Sequence, residues 1–194
     1  MTTSERSSRP YLIAGLVWFA GAFLFVGSGR FAALRPPGPQ LVLLALTVAL
    51  LAAGASLTGF RIWLAGINLR QLVAVHITRF VGICFLVLAS RGELPAAFAV
   101  PAGWGDIAIA AGALVFVLLV PDLLAHRTAL LVWNLLGLVD ILLVVASAAR
   151  HVLIAPESMH ALLVLPLGLV LTFLVPLIIA THVWLFQRLR RERV

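Results

Sequence analysis

Two apolar stretches of membrane-spanning length each carry a charged side chain near the middle. Arg79 lies in the stretch 71–90, and Asp140 lies in the stretch 128–149. At the helical rise of about 1.5 Å per residue, Arg79 is ~13 Å from one end of its stretch and Asp140 is ~15 Å from an end of its own. Charged groups at that depth are costly and usually pair inside a bundle. We therefore predict that Arg79 and Asp140 pair, either as a structural lock between two helices or as part of a ligand site or pathway.

Asp106 is a second candidate partner for Arg79. It ends the apolar segment 92–106, rich in proline and glycine, which we expect at the outer face between the third and fourth spans. Pro101 suits the first turn of a helix, which would place Asp106 in the outer leaflet of the fourth span. The glycines on both sides of Trp104 permit unusual backbone there. The segment predicts an external vestibule, and the alternative is a loop packed on the bundle with Asp106 as a helix cap.

His76 and His182 lie near the predicted inner ends of their spans. With Asn134 they would continue the series of polar side chains from the midplane of the membrane towards the cytoplasm. Two histidines on facing helices are also the axial ligands of a b-type haem. A haem-binding subunit for electron transfer or assembly is therefore the alternative interpretation. No other cofactor and no metal site is predicted.

Together these residues predict a polar binding site within the membrane, made of Arg79, Asp140, His76, Asp106, Asn134 and His182. The leading interpretation is a small carrier of a solute or of protons, or a membrane module that binds a ligand. An arginine at the midplane favours an anionic or carboxylate-bearing ligand. An accessory structural protein without its own ligand is a further interpretation. Phosphate-binding loops and the motifs of serine hydrolases and zinc proteases are absent, so the sequence does not indicate an enzyme.

The composition places all of these residues in a lipid bilayer. The chain has 194 residues, of which 63% are hydrophobic and 11% are charged, far from the roughly one half and one quarter of soluble domains. Since a helical span needs roughly 20 apolar residues, we predict one all-α integral membrane domain over 1–194, a bundle of six transmembrane helices. Their approximate limits are 11–28, 41–60, 71–90, 101–120, 128–149 and 161–186.

The net charge of +7 comes mainly from single arginines at the ends of the spans. Because they form no continuous basic face, nucleic-acid binding is not expected. With the N-terminus inside, the inner segments hold nine arginines and the outer loops hold four. This difference predicts both termini in the cytoplasm of a bacterial-type inner membrane. Six helices are few for a carrier made of one chain, so we expect self-association or a larger membrane complex.

Overall fold

Every regular element is helical in the computed structural model, which describes residues 3–191 and the side chains of residues 9–191. The eight α-helices of this range are α1 (Thr3–Gly27), α2 (Gly38–Ser56), α3 (Thr58–Gly66), α4 (Leu69–Ala74), α5 (Gly82–Ser90), α6 (Ala96–Leu119), α7 (Arg127–Ile154) and α8 (Val175–Arg191). A 3₁₀ segment, Val75–Val81, joins α4 to α5, and a π-helical turn, Val170–Leu174, precedes α8. The described range contains no strand, which confirms the all-α prediction.

Six helical segments are long and apolar enough to cross a membrane, as predicted. They are Arg9–Gly27, Gly38–Ser56, Leu69–Ser90, Ala96–Leu119, Arg127–Ile154 and Val170–Arg191. The chain is therefore a helical, multi-pass membrane protein. The orientation of its termini stays a prediction, and Arg193, one of the arginines counted for it, lies outside the described residues.

The sixth span begins later than the sequence predicts. It was expected from residue 161, whereas residues Pro156–Leu163 form a separate 3₁₀ segment and the long helix begins at Val170. Pro166 lies in the turn between them. Because proline has no backbone N–H and crowds the preceding helical turn, it separates the two elements rather than bending one continuous helix.

The proline- and glycine-rich segment also differs from the expectation. Residues from Ala96 onwards belong to the continuous helix α6, with Pro101 inside it. Only residues 91–95 connect α5 to α6. The expectation of irregular backbone next to Trp104 is therefore wrong, because Trp104 lies within the helix. In an apolar medium a helix is the simplest way to satisfy every backbone polar group. The position of this connection at the outer face, and the external vestibule, stay predictions.

The chain divides into two compact units, and the description of 1–194 as a single domain stays a prediction. The first unit contains the residues up to Ile67 together with His160–Leu177. In it, the rings of Tyr11, Phe60 and Trp63 pack against one another with centroids 5.1–5.4 Å apart. Such mutually packed aromatic rings hold α1 against α3 at the level of Tyr11.

The second unit contains Asn68–Met159 and the residues from Ile178 onwards, and it holds all six predicted site residues. Arginines bind the ends of its helices: Arg70 donates to the carbonyls of Val120 and Pro121 at 2.7 and 2.8 Å, and Arg127 Nη2 donates to Leu189 O at 2.6 Å. Carbonyls at a helix C-terminus have no partner within the helix. These bonds therefore fasten α6 and α8 where each would otherwise fray.

Close helix packing in the second unit depends on glycine. A Cβ atom at Gly82 would lie 2.6 Å from the carbonyl oxygen of Gly103 and 2.7 Å from Asp106 Cβ. Small residues allow membrane helices to approach until their backbones touch. The glycine pair therefore brings α5 and α6 together at the level of Asp106.

Candidate functional site

Arg79 is the centre of a buried ion cluster. Its guanidinium is fully buried, and its Nε donates to Asp106 Oδ1 at 2.6 Å. Its Nη2 donates to Asp140 Oδ2, and its Nη1 donates to the carbonyl oxygen of Gly137 at 2.9 Å. Arg79 therefore binds both candidate aspartates, which we call the triad Asp106–Arg79–Asp140. With both carboxylates ionised, one positive and two negative charges give the triad a formal charge of −1.

The two aspartates of the triad differ in exposure. The side chain of Asp106 is 4% exposed, whereas that of Asp140 is 25% exposed. The neighbouring exposed residues of α7 are apolar, Leu136, Val139 and Leu143 among them. Asp140 is therefore the charged group of the triad that an ion can reach without displacing the other two members.

Glycine makes room for the Asp140 carboxylate. A Cβ atom at Gly105 would lie 2.9 Å from Asp140 Cγ and would overlap its Oδ1. Contacts that short are not tolerated, so the carboxylate occupies the space that a side chain on α6 would fill. Gly105 thus lets Asp140 reach Arg79 across the packed helices α6 and α7.

His76 and His182 form a second polar group, which we call the histidine pair. Both residues are fully buried. Their ring centroids are 4.0 Å apart and the ring planes are inclined by 34°. His76 belongs to the 3₁₀ segment that also carries Arg79, and residues three apart eclipse one another in a 3₁₀-helix. This local geometry aligns the histidine pair with the triad.

The spacing of the histidine pair does not fit a haem. In a bis-histidine site the porphyrin plane lies between the two axial imidazoles. At 4.0 Å the rings of His76 and His182 contact each other directly, which leaves no space for a macrocycle between them. The haem interpretation therefore gains no support from the arrangement of its own two ligands.

The proton on His182 follows from its bonds to Asn134. The carbonyl oxygen of His182 can only accept, so the Asn134 atom 3.1 Å from it is the Nδ2 donor. Asn134 Oδ1 is then the atom 2.9 Å from His182 Nδ1. Since that oxygen can only accept, His182 donates from Nδ1–H. Its Nε2 is left with a lone pair.

We assign the proton on His76 from its contact with the Thr181 hydroxyl, a group that can both donate and accept. The Thr181 hydroxyl donates to the carbonyl oxygen of Ile178 at 2.9 Å. With its one proton placed on this shorter contact, the hydroxyl accepts a long hydrogen bond of 3.4 Å from His76 Nε2–H. The lone pair of His76 is then on Nδ1. Among the described residues, neither His76 Nδ1 nor His182 Nε2 has a hydrogen-bond partner.

Trp133 closes the histidine pair on one side. Its ring lies edge-on to His76 with centroids 5.3 Å apart, and its Nε1 donates to the carbonyl oxygen of Ile109 at 3.1 Å. A Cβ atom at Gly112 would lie 2.6 Å from that nitrogen, so glycine again provides the space. The indole is thereby held rigidly between α6 and α7.

The structure brings all six predicted site residues into one continuous region of the second unit. Sequence reasoning did not find Thr181 or the carbonyl of Gly137, because hydroxyls and backbone carbonyls are common in helices. The available signal was position: Thr181 directly precedes His182, and Gly137 lies three residues before Asp140. Residues three apart share one helix face.

Comparison with known proteins identifies the family of the chain. A family model described as a domain of unknown function (DUF8737) matches residues 36–190. Since the match covers most of the chain, including both units, the chain belongs to this family. No curated protein and no solved structure matches the chain significantly.

Proposed function

We propose that this member of the DUF8737 family is a small carrier or binding module that takes up a proton within the membrane at the triad. The observation that carries the proposal is that two carboxylates share one arginine within membrane-spanning helices, which gives a formal charge of −1 when both are ionised. An uncompensated charge in an apolar medium is strongly disfavoured. Uptake of one positive charge neutralises the triad, and a proton is the smallest ion that supplies it.

The bonds of Arg79 favour a cation over the anionic ligand that the sequence alone suggested. Its Nε, Nη1 and Nη2 all donate to acceptors of the protein. An anion would have to displace a carboxylate and would raise the negative charge of the site from −1 to −2. The anionic or carboxylate-bearing ligand is therefore an expectation that the geometry does not favour.

Asp140 is the group of the triad that we propose takes the proton. Its side chain is partly exposed, whereas Arg79 and Asp106 are enclosed. With Asp140 protonated, Arg79 and Asp106 remain as a neutral ion pair. The triad then alternates between charges of −1 and 0, and the loaded state is the one that low-dielectric surroundings favour.

The proposal includes a location and an assembly. A bacterial inner membrane, with both termini in the cytoplasm, agrees with the distribution of arginines at the ends of the spans. Self-association, or assembly into a larger membrane complex, is part of the proposal because six helices are few for a carrier made of one chain.

Proton flux into vesicles tests the proposal. The purified protein is reconstituted into liposomes that contain a pH-sensitive dye, and a potassium gradient with valinomycin supplies the driving force. We expect flux above that of empty vesicles, and we expect Asp140→Asn to abolish it. Asp122→Asn is the matched control, because Asp122 caps a turn at an exposed position and asparagine can form the same bonds.

The outcome also separates a carrier from an accessory structural protein. If the wild-type protein gives no more flux than empty vesicles, or if Asp140→Asn conducts as well as Asp122→Asn, the proton-carrying role is wrong. The triad would then act as a lock between helices.

A further inference from the structure

The histidine pair presents two hydrogen-bond acceptors that no group of the described residues uses. His76 donates to Thr181 and His182 donates to Asn134, so each ring has one nitrogen with a lone pair. Both lone-pair nitrogens are fully buried, and neither has a partner among the described residues. Buried polar atoms in proteins almost always have a partner. A group that complements this pair must therefore be a hydrogen-bond donor.

The charges around the histidine pair indicate the kind of donor. Gly137 joins the two groups, because its carbonyl accepts from Arg79 and a Cβ on it would lie 2.6 Å from His182 Cε1. The triad next to the pair carries a formal charge of −1 whenever both of its carboxylates are ionised, and all three nitrogens of Arg79 already have acceptors. A donor with a positive charge therefore suits this position better than a neutral one.

The packing limits the size of the donor. The two imidazole rings contact each other at 4.0 Å, and the Trp133 ring lies edge-on to His76. A molecule with a bulky substituent would have to separate these rings. The complementary group is thus small and cationic, and it carries N–H bonds.

We propose that the histidine pair binds an ammonium ion, with His76 Nδ1 and His182 Nε2 accepting hydrogen bonds from it. This site lies beside the proposed proton site, and the proposal rests on that function in one respect: the negative charge of the triad favours the cation. Potassium has a similar size and the same charge as ammonium but has no hydrogen to donate. It is therefore the discriminating control ion.

Thermal unfolding of the purified protein in detergent tests the site. Ammonium chloride is titrated against potassium chloride at constant pH and constant total chloride. A ligand that binds only the folded protein raises the melting temperature with its concentration. At ten times the dissociation constant we expect a rise of roughly 3–5 °C for a chain of this size, and no rise in potassium chloride.

Two variants assign the response to the histidine pair. Gly137→Ala places a methyl group 2.9 Å from His182 Nε2, and His76→Phe removes the Nδ1 acceptor while keeping a ring. Both should lose the ammonium response. Gly21→Ala is the control, because a Cβ there meets nothing within 4 Å. The readout is the difference between the two salts within each variant, so a lower starting stability does not obscure it.

The melting experiment tests the ammonium site, and the flux experiment tests the proposed proton-binding role, so either proposal can fail without the other. Equal responses to ammonium and potassium, or an ammonium response that survives in Gly137→Ala and His76→Phe, would overturn the ammonium site. Proton flux that depends on Asp140 would still support the proton-binding role in that case. An ammonium response in a protein without proton flux would support the ammonium site and reject proton transport.

Discussion

Removing the positive charge from the triad should destabilise the protein more than removing one of its negative charges. Asp106→Asn keeps an oxygen acceptor for Arg79 Nε and leaves Arg79 and Asp140 as a neutral pair. Only one charge-assisted hydrogen bond is weakened, so we expect a loss of about 1–3 kcal/mol in the free energy of unfolding. Arg79→Met instead leaves two carboxylates without a counter-ion. Breaking a buried ion pair in this way costs about 3–5 kcal/mol.

The assay is thermal unfolding in detergent, with all variants in one buffer. For a chain of this size, each 1 kcal/mol corresponds to a shift of roughly 2–4 °C. Asp106→Asn should therefore melt roughly 2–12 °C below the wild type, and Arg79→Met should melt lower still. Arg91→Met, at an exposed position, is the control for loss of an arginine. Equal losses for Asp106→Asn and Arg79→Met would refute the reasoning, because they would mean that the triad behaves as a simple neutral pair.

Three further predictions concern the surroundings of the triad and the topology. Gly105→Ala should reduce proton flux because its methyl group overlaps the Asp140 carboxylate, whereas Gly21→Ala should conduct normally in the same vesicle assay. Asn134→Ala removes both bonds to His182 and should lower the free energy of unfolding by about 1–3 kcal/mol in thermal melts; an unchanged melting temperature would contradict this. The variant Glu93→Cys, made in a chain with Cys84→Ser, tests the orientation with a membrane-impermeant maleimide. The new cysteine should react in intact cells if the predicted orientation is correct, and only after lysis if the orientation is reversed.

The membrane-spanning elements could be predicted because length and apolarity alone set them. The predicted limits of the fourth and sixth spans were wrong where proline or glycine residues lie within an apolar stretch. Pro101 and the glycines near Trp104 resemble a loop, yet the requirement for satisfied backbone bonds in apolar surroundings keeps residues 96–119 helical. At the sixth span the hydrophobic pattern continues through Pro166, and only the loss of its backbone N–H separates the elements.

The members of the site could be predicted for the same reason: charged and imidazole groups inside apolar stretches are rare. Their mutual arrangement could not be predicted. The spacing of residues along α6 and α7 does not show that Gly105 leaves room for the Asp140 carboxylate next to Arg79. The sequence therefore could not decide whether Arg79 pairs with Asp106 or with Asp140. The 3₁₀ segment that aligns His76 with Arg79 has no distinct hydrophobic pattern. The lone pairs of the histidine pair depend on bonds from Thr181 and Asn134, which only coordinates reveal.

Infrared difference spectroscopy on the reconstituted protein detects the protonation of Asp140 itself. We expect that lowering the pH produces the carbonyl band of a protonated carboxyl group inside the protein. That band should be absent in Asp140→Asn. In Asp106→Asn it should appear only at a lower pH, because Asp140 then forms a neutral pair with Arg79 and gains less from taking up a proton. A spectrum without such a band in the wild type, or a band that disappears with Asp106→Asn and remains with Asp140→Asn, would contradict the account.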